Sequence, residues 1–151
     1  MNVQRGFTLV ELVTVIVILG ILAAVAAPRF FSERPFADRG YVDELAAALR
    51  NAQKIAVASG CWVSVTVTPT SYQAMQRPDP ADCNSVGAWT SPVLRIDGTL
   101  LAGQTAAGVT VVGTTQFIFN GGGTLQAAAA NVQVGPYVIS VVPATGLVAV
   151  N

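Results

Sequence analysis

Few residues in this chain of 151 could take part in chemistry. The chain has no histidine, which removes the commonest general base and the commonest metal ligand. The remaining candidates are a cysteine pair and an acidic loop, namely Cys61, Cys83, Asp79, Asp82 and Asn84. The cysteines could form a disulfide or remain two buried thiols, and the loop could ligate calcium. Because no base and nucleophile can be paired, we expect no catalytic site, and we assign no metal and no cofactor.

Aromatic and glycine residues suggest two alternative roles, stacking against a ligand and binding of a phosphate group. Trp62 and Trp89 could stack against a ligand or a nucleic-acid strand, although packing within the fold is the interpretation we favour. The run Gly121 to Gly123 lacks the lysine and the following helix of a phosphate cradle, so it predicts a hairpin turn. Eight basic and eight acidic residues give zero net charge, which disfavours a nucleic-acid partner. We interpret the acidic loop with Asp79, Asp82 and Asn84 as a conformationally constrained loop rather than as a calcium site.

Glu11 stands at the start of an apolar run that contains no charged residue from Leu12 to Pro28. An ionised carboxylate near the middle of a bilayer costs roughly 2.5 to 3.5 kcal/mol. An apolar segment that carries one is therefore expected to use it in a specific interaction. Charged residues make up only 11% of the chain, against about 25% in soluble domains, so part of this chain is not designed for water. An ordinary secretory signal cleaved after Ala24-Val25-Ala26 is the alternative, but it would not need Glu11.

The run Arg5-Gly6-Phe7-Thr8-Leu9-Val10-Glu11-Leu12 resembles the prepilin peptidase site of type IV pilins and type II secretion pseudopilins. The resemblance implies cleavage after Gly6, N-methylation of the new first residue Phe7, a role in assembly for Glu11, and a helix kink at Pro28. It also implies prepilin peptidase and the inner membrane as partners.

Spacing gives an independent reason for the pair formed by Phe7 and Glu11. Four helical residues rise about 6 Å, which places a Phe7 amine and the Glu11 carboxylate on one face. Each group could pair with its opposite on a neighbouring subunit, so that Glu11 would set the register of a helical bundle. Glu11 could instead extend toward lipid headgroups. The basic residues Arg29, Arg34 and Arg39 lie on the outer side in this topology, against the positive-inside rule.

Periodicity divides the rest of the chain. We predict a leader at 1–6, a transmembrane and filament-core helix at 7–28, an interfacial segment with an amphipathic helix at 29–59, and a β-rich head at 60–151. Asp38 is the predicted N-cap of the amphipathic helix. Apolar residues then recur at helical spacing: Val42, Leu45, Ala46, Leu49, Ala52 and Ala56.

Alternation with a period of two predicts strands from Cys61 onward. The predicted strands are Cys61 to Thr68, Ser71 to Gln76, Val93 to Asp97, Val109 to Val112, Gln116 to Asn120, Tyr137 to Val142 and Leu147 to Val150. The predicted fold class is α+β, a long N-terminal hydrophobic helix with an antiparallel head packed on its second half. A bridge between Cys61 and Cys83 would join the first strand to the loop after the second.

The C-terminal hairpin pattern is similar to that of FimT/GspH-type minor pilins, in the segments Phe117 to Gly123, Tyr137 to Val141 and Thr145 to Val148. Segments Ala27 to Phe31 and Ala48 to Lys54 look more like minor pilins of mannose-sensitive haemagglutinin (MSHA) systems. The resemblance implies a minor pilin or pseudopilin, not an enzyme, held by a single pass in the inner membrane with a periplasmic head. It would later join other major and minor subunits in a fibre. A pilus-tip module that binds a surface ligand or DNA is the alternative.

Overall fold

The computed structural model describes residues 8–30, 34–85, 87–113, 115–126 and 130–151. The chain divides into two compact units, residues 1–33 and residues 34–151. The first unit contributes one helix, and the second contains a helix and all of the described strands.

Helix α1, Leu9–Phe30, begins directly after Thr8. Its residues are mostly apolar, and the only charged residue in its first turn is Glu11. The helix continues through Pro28 to Phe30, so it does not end before the proline. Proline removes one backbone hydrogen bond but leaves the flanking residues free to stay helical. The kink at Pro28 stays a prediction.

Helix α2, Arg34–Ser59, starts four residues earlier than predicted. Asp38 therefore lies inside the helix, and its assignment as the N-cap was wrong. Pro35 occupies the first turn of this helix, where an amide hydrogen has no intrahelical partner and proline is tolerated. The predicted apolar stripe is confirmed, because Val42, Leu45, Ala46, Leu49, Ala52 and Ala56 are all buried.

Two antiparallel sheets form the head. The strands are β1 Val63–Val67, β2 Ser71–Gln76, β3 Ser91–Pro92, β4 Ala102–Gln104, β5 Val111–Val112, β6 Thr115–Phe119, β7 Ala130–Val134, β8 Tyr137–Val141 and β9 Val148–Val150. The first sheet has the order β3-β2-β1-β6, with β4 also paired to β2, and the second has the order β5-β7-β8-β9. A short 3₁₀ helix, Pro80–Asp82, lies between β2 and β3.

Both sheets pack against α2, which contacts β1, β6, β8 and β9. In the first sheet, Val65 pairs with Phe117 and both side chains are buried. In the second sheet, Ile139 and Val132 pair and are buried as well. The α+β fold class is confirmed, with the antiparallel head packed on the second helix.

The strand predictions are correct for most, but not all, of the described strands. β2 has the predicted bounds, β8 and β9 differ by one residue at one end, and β6 is shifted by one residue at both ends. The predicted strand Val93 to Asp97 was wrong, because this segment forms a turn whose only ladder contact is the bridge between Leu94 and Leu100. β7 was missed although its alternating burial is regular, and β4 was missed because a three-residue strand carries almost no pattern.

The structure joins Cys61 to Cys83, with 5.0 Å between their Cα atoms and 22 residues of sequence separation. The bridge ties the segment before β1 to the end of the 3₁₀ helix. A backbone hydrogen bond of 2.9 Å, from the Trp62 amide to the Cys83 carbonyl, reinforces the same link. The two cysteines therefore hold the connection between β2 and β3 against the first strand.

Removing the disulfide should lower the free energy of unfolding of the head by roughly 3 kcal/mol, the chain-entropy value for a loop of this size. Urea unfolding of the double variant Cys61→Ser/Cys83→Ser measures this loss. The wild-type chain under reducing conditions is the matched control and should lose a similar amount. Two reactive thiols in the native, non-reduced protein would contradict the bridge.

Candidate functional site

The start of α1 is built around Thr8 and Glu11. The Glu11 amide donates a hydrogen bond of 3.3 Å to Thr8 Oγ1, so Thr8 acts as the N-cap of the helix. The Leu12 amide bonds to the Thr8 carbonyl at 3.1 Å, which closes the first turn. A carboxylate in this turn interacts favourably with the helix dipole. The Glu11 side chain is exposed on this helix, as judged from the described residues.

The side chains described on α1, residues 9–24, are all exposed. The large apolar ones include Leu9, Val10, Leu12, Ile16, Val17, Ile18, Leu19, Ile21 and Leu22, with exposed fractions from 53% to 78%. A helix that is apolar on every side requires an apolar environment, either lipid or other helices. Within the part of the chain that the structure describes, no helix meets the length and hydropathy needed to cross a membrane.

Of the other residues predicted to act in this region, the structure describes only the backbone of Pro28. Gly6 and Phe7 lie outside the described residues. The backbone of Pro28 lies within α1, but the described side chains of that helix end at residue 24. The proposed pairing of the Phe7 amine with Glu11 therefore remains a prediction from spacing.

The acidic loop uses its carboxylates within the fold. Asp79 Oδ1 accepts a hydrogen bond of 2.9 Å from the Ala81 amide and caps the 3₁₀ helix. Asp82 forms an ion pair with Arg77, and Ser85 hydrogen-bonds both residues. Among the residues described, no group of three or more Cys, Asp or Glu side chains is arranged to hold a metal ion. The loop is constrained, as interpreted from the sequence.

The glycine run forms a turn that packs under the end of α2. Asn120 Oδ1 accepts hydrogen bonds from the amides of Gly122 at 2.9 Å and Thr124 at 3.0 Å. A Cβ at Gly121 would lie 2.5 Å from the Gly60 carbonyl oxygen, so a larger residue would not fit. The predicted turn is confirmed. Trp62 and Trp89 are both half-buried.

A polar cluster that sequence reasoning missed links α2 to the first sheet. The Tyr72 hydroxyl donates a hydrogen bond of 2.6 Å to Glu44 Oε1, and Arg95 Nη2 lies 3.4 Å from the same hydroxyl. Burial raises the pKa of Tyr72 well above its usual value, and the bond to Glu44 raises it further. Tyr72 therefore stays a neutral donor. The sequence gives no signal for this contact, because Glu44 and Tyr72 are 28 residues apart.

Two side chains of α2 bind backbone carbonyls of the glycine turn after β6 and of the β8–β9 hairpin. Gln53 Nε2 donates to the carbonyls of Gly123 at 2.8 Å and Thr145 at 2.9 Å. Arg50 donates to the Val148 carbonyl at 3.2 Å, on the strand that ends the sheet. These bonds attach the closing hairpin to the helix and supply donors for backbone carbonyls that the sheets leave open.

Comparison with known families gives two matches that cover different parts of this architecture. Residues 1–27 match the prokaryotic N-terminal methylation motif. Residues 41–145, most of α2 and the head, match the type II transport protein GspH family. The chain belongs to the GspH family. It is therefore a structural subunit of the type IV pilin and type II secretion pseudopilin kind, as the sequence resemblance implied.

Curated relatives of this GspH-family chain come from pili and from type II secretion. It is 42% identical over 87 residues to the type IV narrow pilus major component PilA5 of Thermus thermophilus, covering 58% of this chain and 70% of that protein. It is 39% identical over 75 residues to a fimbrial protein of Pseudomonas aeruginosa, covering 48% and 47%. It is 46% identical over 52 residues to type II secretion system core protein G of Klebsiella pneumoniae, covering 34% and 37%. The chain thus spans less than half of the last two relatives, and no solved structure gives a significant match.

The variant Glu11→Ala should insert into the membrane as well as the wild-type chain or better, because a carboxylate is costly in lipid. Its incorporation into fibres should fall by about tenfold or more, because the carboxylate is useful only when it is paired. Quantification of the chain in membranes and in sheared fibres measures both effects. The control Thr14→Ala changes a nearby exposed position whose hydroxyl bonds only to the Val10 and Glu11 carbonyls. Normal incorporation of Glu11→Ala would show that Glu11 does not set the register.

Proposed function

We propose that this chain is a minor subunit of a type IV pilus or a type II secretion pseudopilus, with no enzymatic activity of its own. The observation that carries the proposal is the combination, in one chain, of an N-terminal methylation motif at residues 1–27 and a GspH-type head at residues 41–145. The first is suited to export and helix packing, and the second supplies a folded head for contacts between subunits.

The proposed maturation follows the predicted organisation. Prepilin peptidase removes residues 1–6 by cutting between Gly6 and Phe7, and the Phe7 amine is then methylated. Residues 7–28 hold the subunit in the inner membrane, residues 29–59 pass through the interface and lead into the head, and residues 60–151 form the β-rich head on the periplasmic side. The exposed apolar side chains of α1 support this proposal, because they require a lipid or helical environment.

In the fibre, α1 packs against helices of other pilins, and small residues allow close approach. Gly20 supports this, since a Cβ built there meets nothing within 4 Å in the isolated subunit. The packed helices provide most of the association energy, and the heads provide the choice of neighbour. Prepilin peptidase and other major and minor pilins or pseudopilins are thus the proposed partners.

Family membership favours a minor role, because the head follows the GspH type over 105 residues, 41–145. The machine we propose is an MSHA-like pilus, supported by segments 27–31 and 48–54, with type II secretion as the other possibility.

A second candidate is a major subunit, which is favoured by the 42% identity to a narrow pilus major component. A tip-binding role is the third. The zero net charge disfavours DNA as its ligand.

Quantitative mass spectrometry of purified fibres distinguishes the first two candidates. We expect this chain at about one hundredth or less of the dominant subunit, since an initiating subunit is needed once per fibre whereas a major subunit repeats along its length. Finding it as the dominant component would overturn the minor assignment and leave the pilin assignment standing. Its absence from fibres, with the chain present in the membrane, would contradict both.

A further inference from the structure

A groove with apolar walls lies between α2 and the turn that connects β3 to β4. The helix contributes Asn51, Lys54, Ile55 and Ala58, which recur at helical spacing on one side of α2. The turn contributes Leu94, Arg95 and Ile96. The groove has a volume of about 310 Å³, enough for one or two side chains of another molecule.

The turn exposes more apolar surface than a solvated loop needs. Ile96 is completely exposed, Leu94 is 53% exposed and Leu100 is 48% exposed. Leu94 and Ile96 line the groove, and Leu100 pairs with Leu94 beside it. Single exposed apolar residues are ordinary, but such a group at one groove indicates a contact surface. Ile55 of α2 is only partly buried and continues this apolar surface on the opposite wall.

The turn is held rigidly in its observed form. The Arg95 amide donates to the Thr99 carbonyl at 2.7 Å, and the Gly98 amide donates to the Arg95 carbonyl at 3.0 Å. Arg95 Nη1 also donates to the Leu100 carbonyl at 2.9 Å. Ile96 is therefore presented by a fixed backbone, so that little conformational entropy is lost when a partner binds.

The two charged side chains that line the groove, Lys54 and Arg95, are both basic. Lys54 is exposed, and it takes part in neither of the ion pairs found among the described residues, which are Arg39 with Asp43 and Arg77 with Asp82. Arg95 forms the other basic part of the wall. The nearby carboxylate of Asp97 is committed to its own turn, since it accepts bonds from the Thr99 amide at 2.9 Å and the Thr99 hydroxyl at 2.6 Å.

We infer that this groove binds an acidic, apolar peptide segment on the head of another filament subunit. Its apolar side chain lies between Ile55 and Ile96, and its carboxylate pairs with Lys54. The inference rests on the proposed function and specifies a surface for the contact between unlike heads. An anionic membrane surface shares part of this chemistry, but it is usually bound by clusters of about four to eight Lys or Arg, whereas this groove has two.

Photo-crosslinking of the full-length chain in fibre-producing cells tests the inference. A photoreactive amino acid replaces Ile96, and mass spectrometry identifies the adduct. We expect an adduct with another pilin or pseudopilin at a segment with Asp or Glu beside an apolar residue. Lys54→Glu should lower its yield by about fivefold, the effect of one exposed charge pair, while Lys54→Arg retains it. The same probe at Leu147, which is 60% exposed on the other sheet, should not give this adduct.

An adduct with lipid only, no adduct at position 96, or a yield unchanged by Lys54→Glu would overturn the inference. Resistance of each variant to protease serves as the check on folding. The amount of this chain recovered in purified fibres distinguishes failure of the groove assignment from failure of the proposed function. If the chain enters fibres but position 96 gives no protein adduct, the groove assignment alone fails. If even the wild-type chain never enters fibres, the proposed function fails together with it.

Discussion

The variant Gly6→Val should remain uncut in the membrane and be absent from fibres. Cleavage after Gly6 is what the resemblance to prepilin sites implies, and a branched side chain at that position would obstruct the peptidase. The uncut chain would keep residues 1–6, including Arg5, at the start of the helix. The Phe7 amine would not form, so Glu11 would lose its proposed partner. We therefore expect loss of processing and of assembly together, the largest effect predicted here.

Intact-mass analysis of the membrane form measures this outcome. The wild-type chain should have the mass of residues 7–151 plus one methyl group, and Gly6→Val the mass of the full chain. Gly20→Ala is a matched control, because an added Cβ at that glycine has no atom within 4 Å. It should be processed normally. A mature wild-type chain that starts at Ala27 or Pro28 would instead support an ordinary secretory signal and contradict the filament assignment.

The substitution Phe117→Ala should lower the free energy of unfolding of the head by about 3 to 5 kcal/mol, the usual effect of removing a buried aromatic side chain. Phe117 is completely buried in β6 and pairs with Val65, also buried, in β1. Small domains have only about 5 to 15 kcal/mol of stability, so this loss would leave the head close to unfolding at physiological temperature.

Thermal unfolding of the full-length chain in detergent, followed by circular dichroism, measures the change. The control Ile118→Ala removes the next side chain, which is half-buried and points to the other face of the sheet. We expect it to cost about 1 kcal/mol. Similar losses for the two variants would mean that β6 does not bury the face assigned to it here.

Sequence patterns were sufficient for the parts of this protein that depend on local periodicity. Leu45, Leu49, Ala52 and Ala56 recur at helical spacing, and all are buried on one face of α2. The alternation in β2 and β8 predicted strands with almost the observed bounds. The leader motif Gly6 to Glu11 likewise predicted the family, since residues 1–27 match the N-terminal methylation motif.

Local patterns failed where the surroundings of a residue set its conformation. Leu94 to Ile96 alternate like a strand, yet they form a turn, because Arg95 bonds to the Leu100 carbonyl and Thr99 bonds to Asp97. The N-cap assigned to Asp38 placed the start of the second helix too late, because a proline in the first turn loses no hydrogen bond and the helix can begin at Arg34. Three-residue strands such as β4 are recognised only through the partner that they pair with.

The sequence by itself therefore determined the apolar helix, the amphipathic stripe and most strands, because each is encoded by neighbouring residues. Only the tertiary structure brought together Glu44 with Tyr72, and Lys54 with Ile96, since these residues are far apart in the chain and meet when the first sheet packs beside α2. Their contacts depend on which strands pair and in what register, and that is decided by the burial of the whole core rather than by any local pattern.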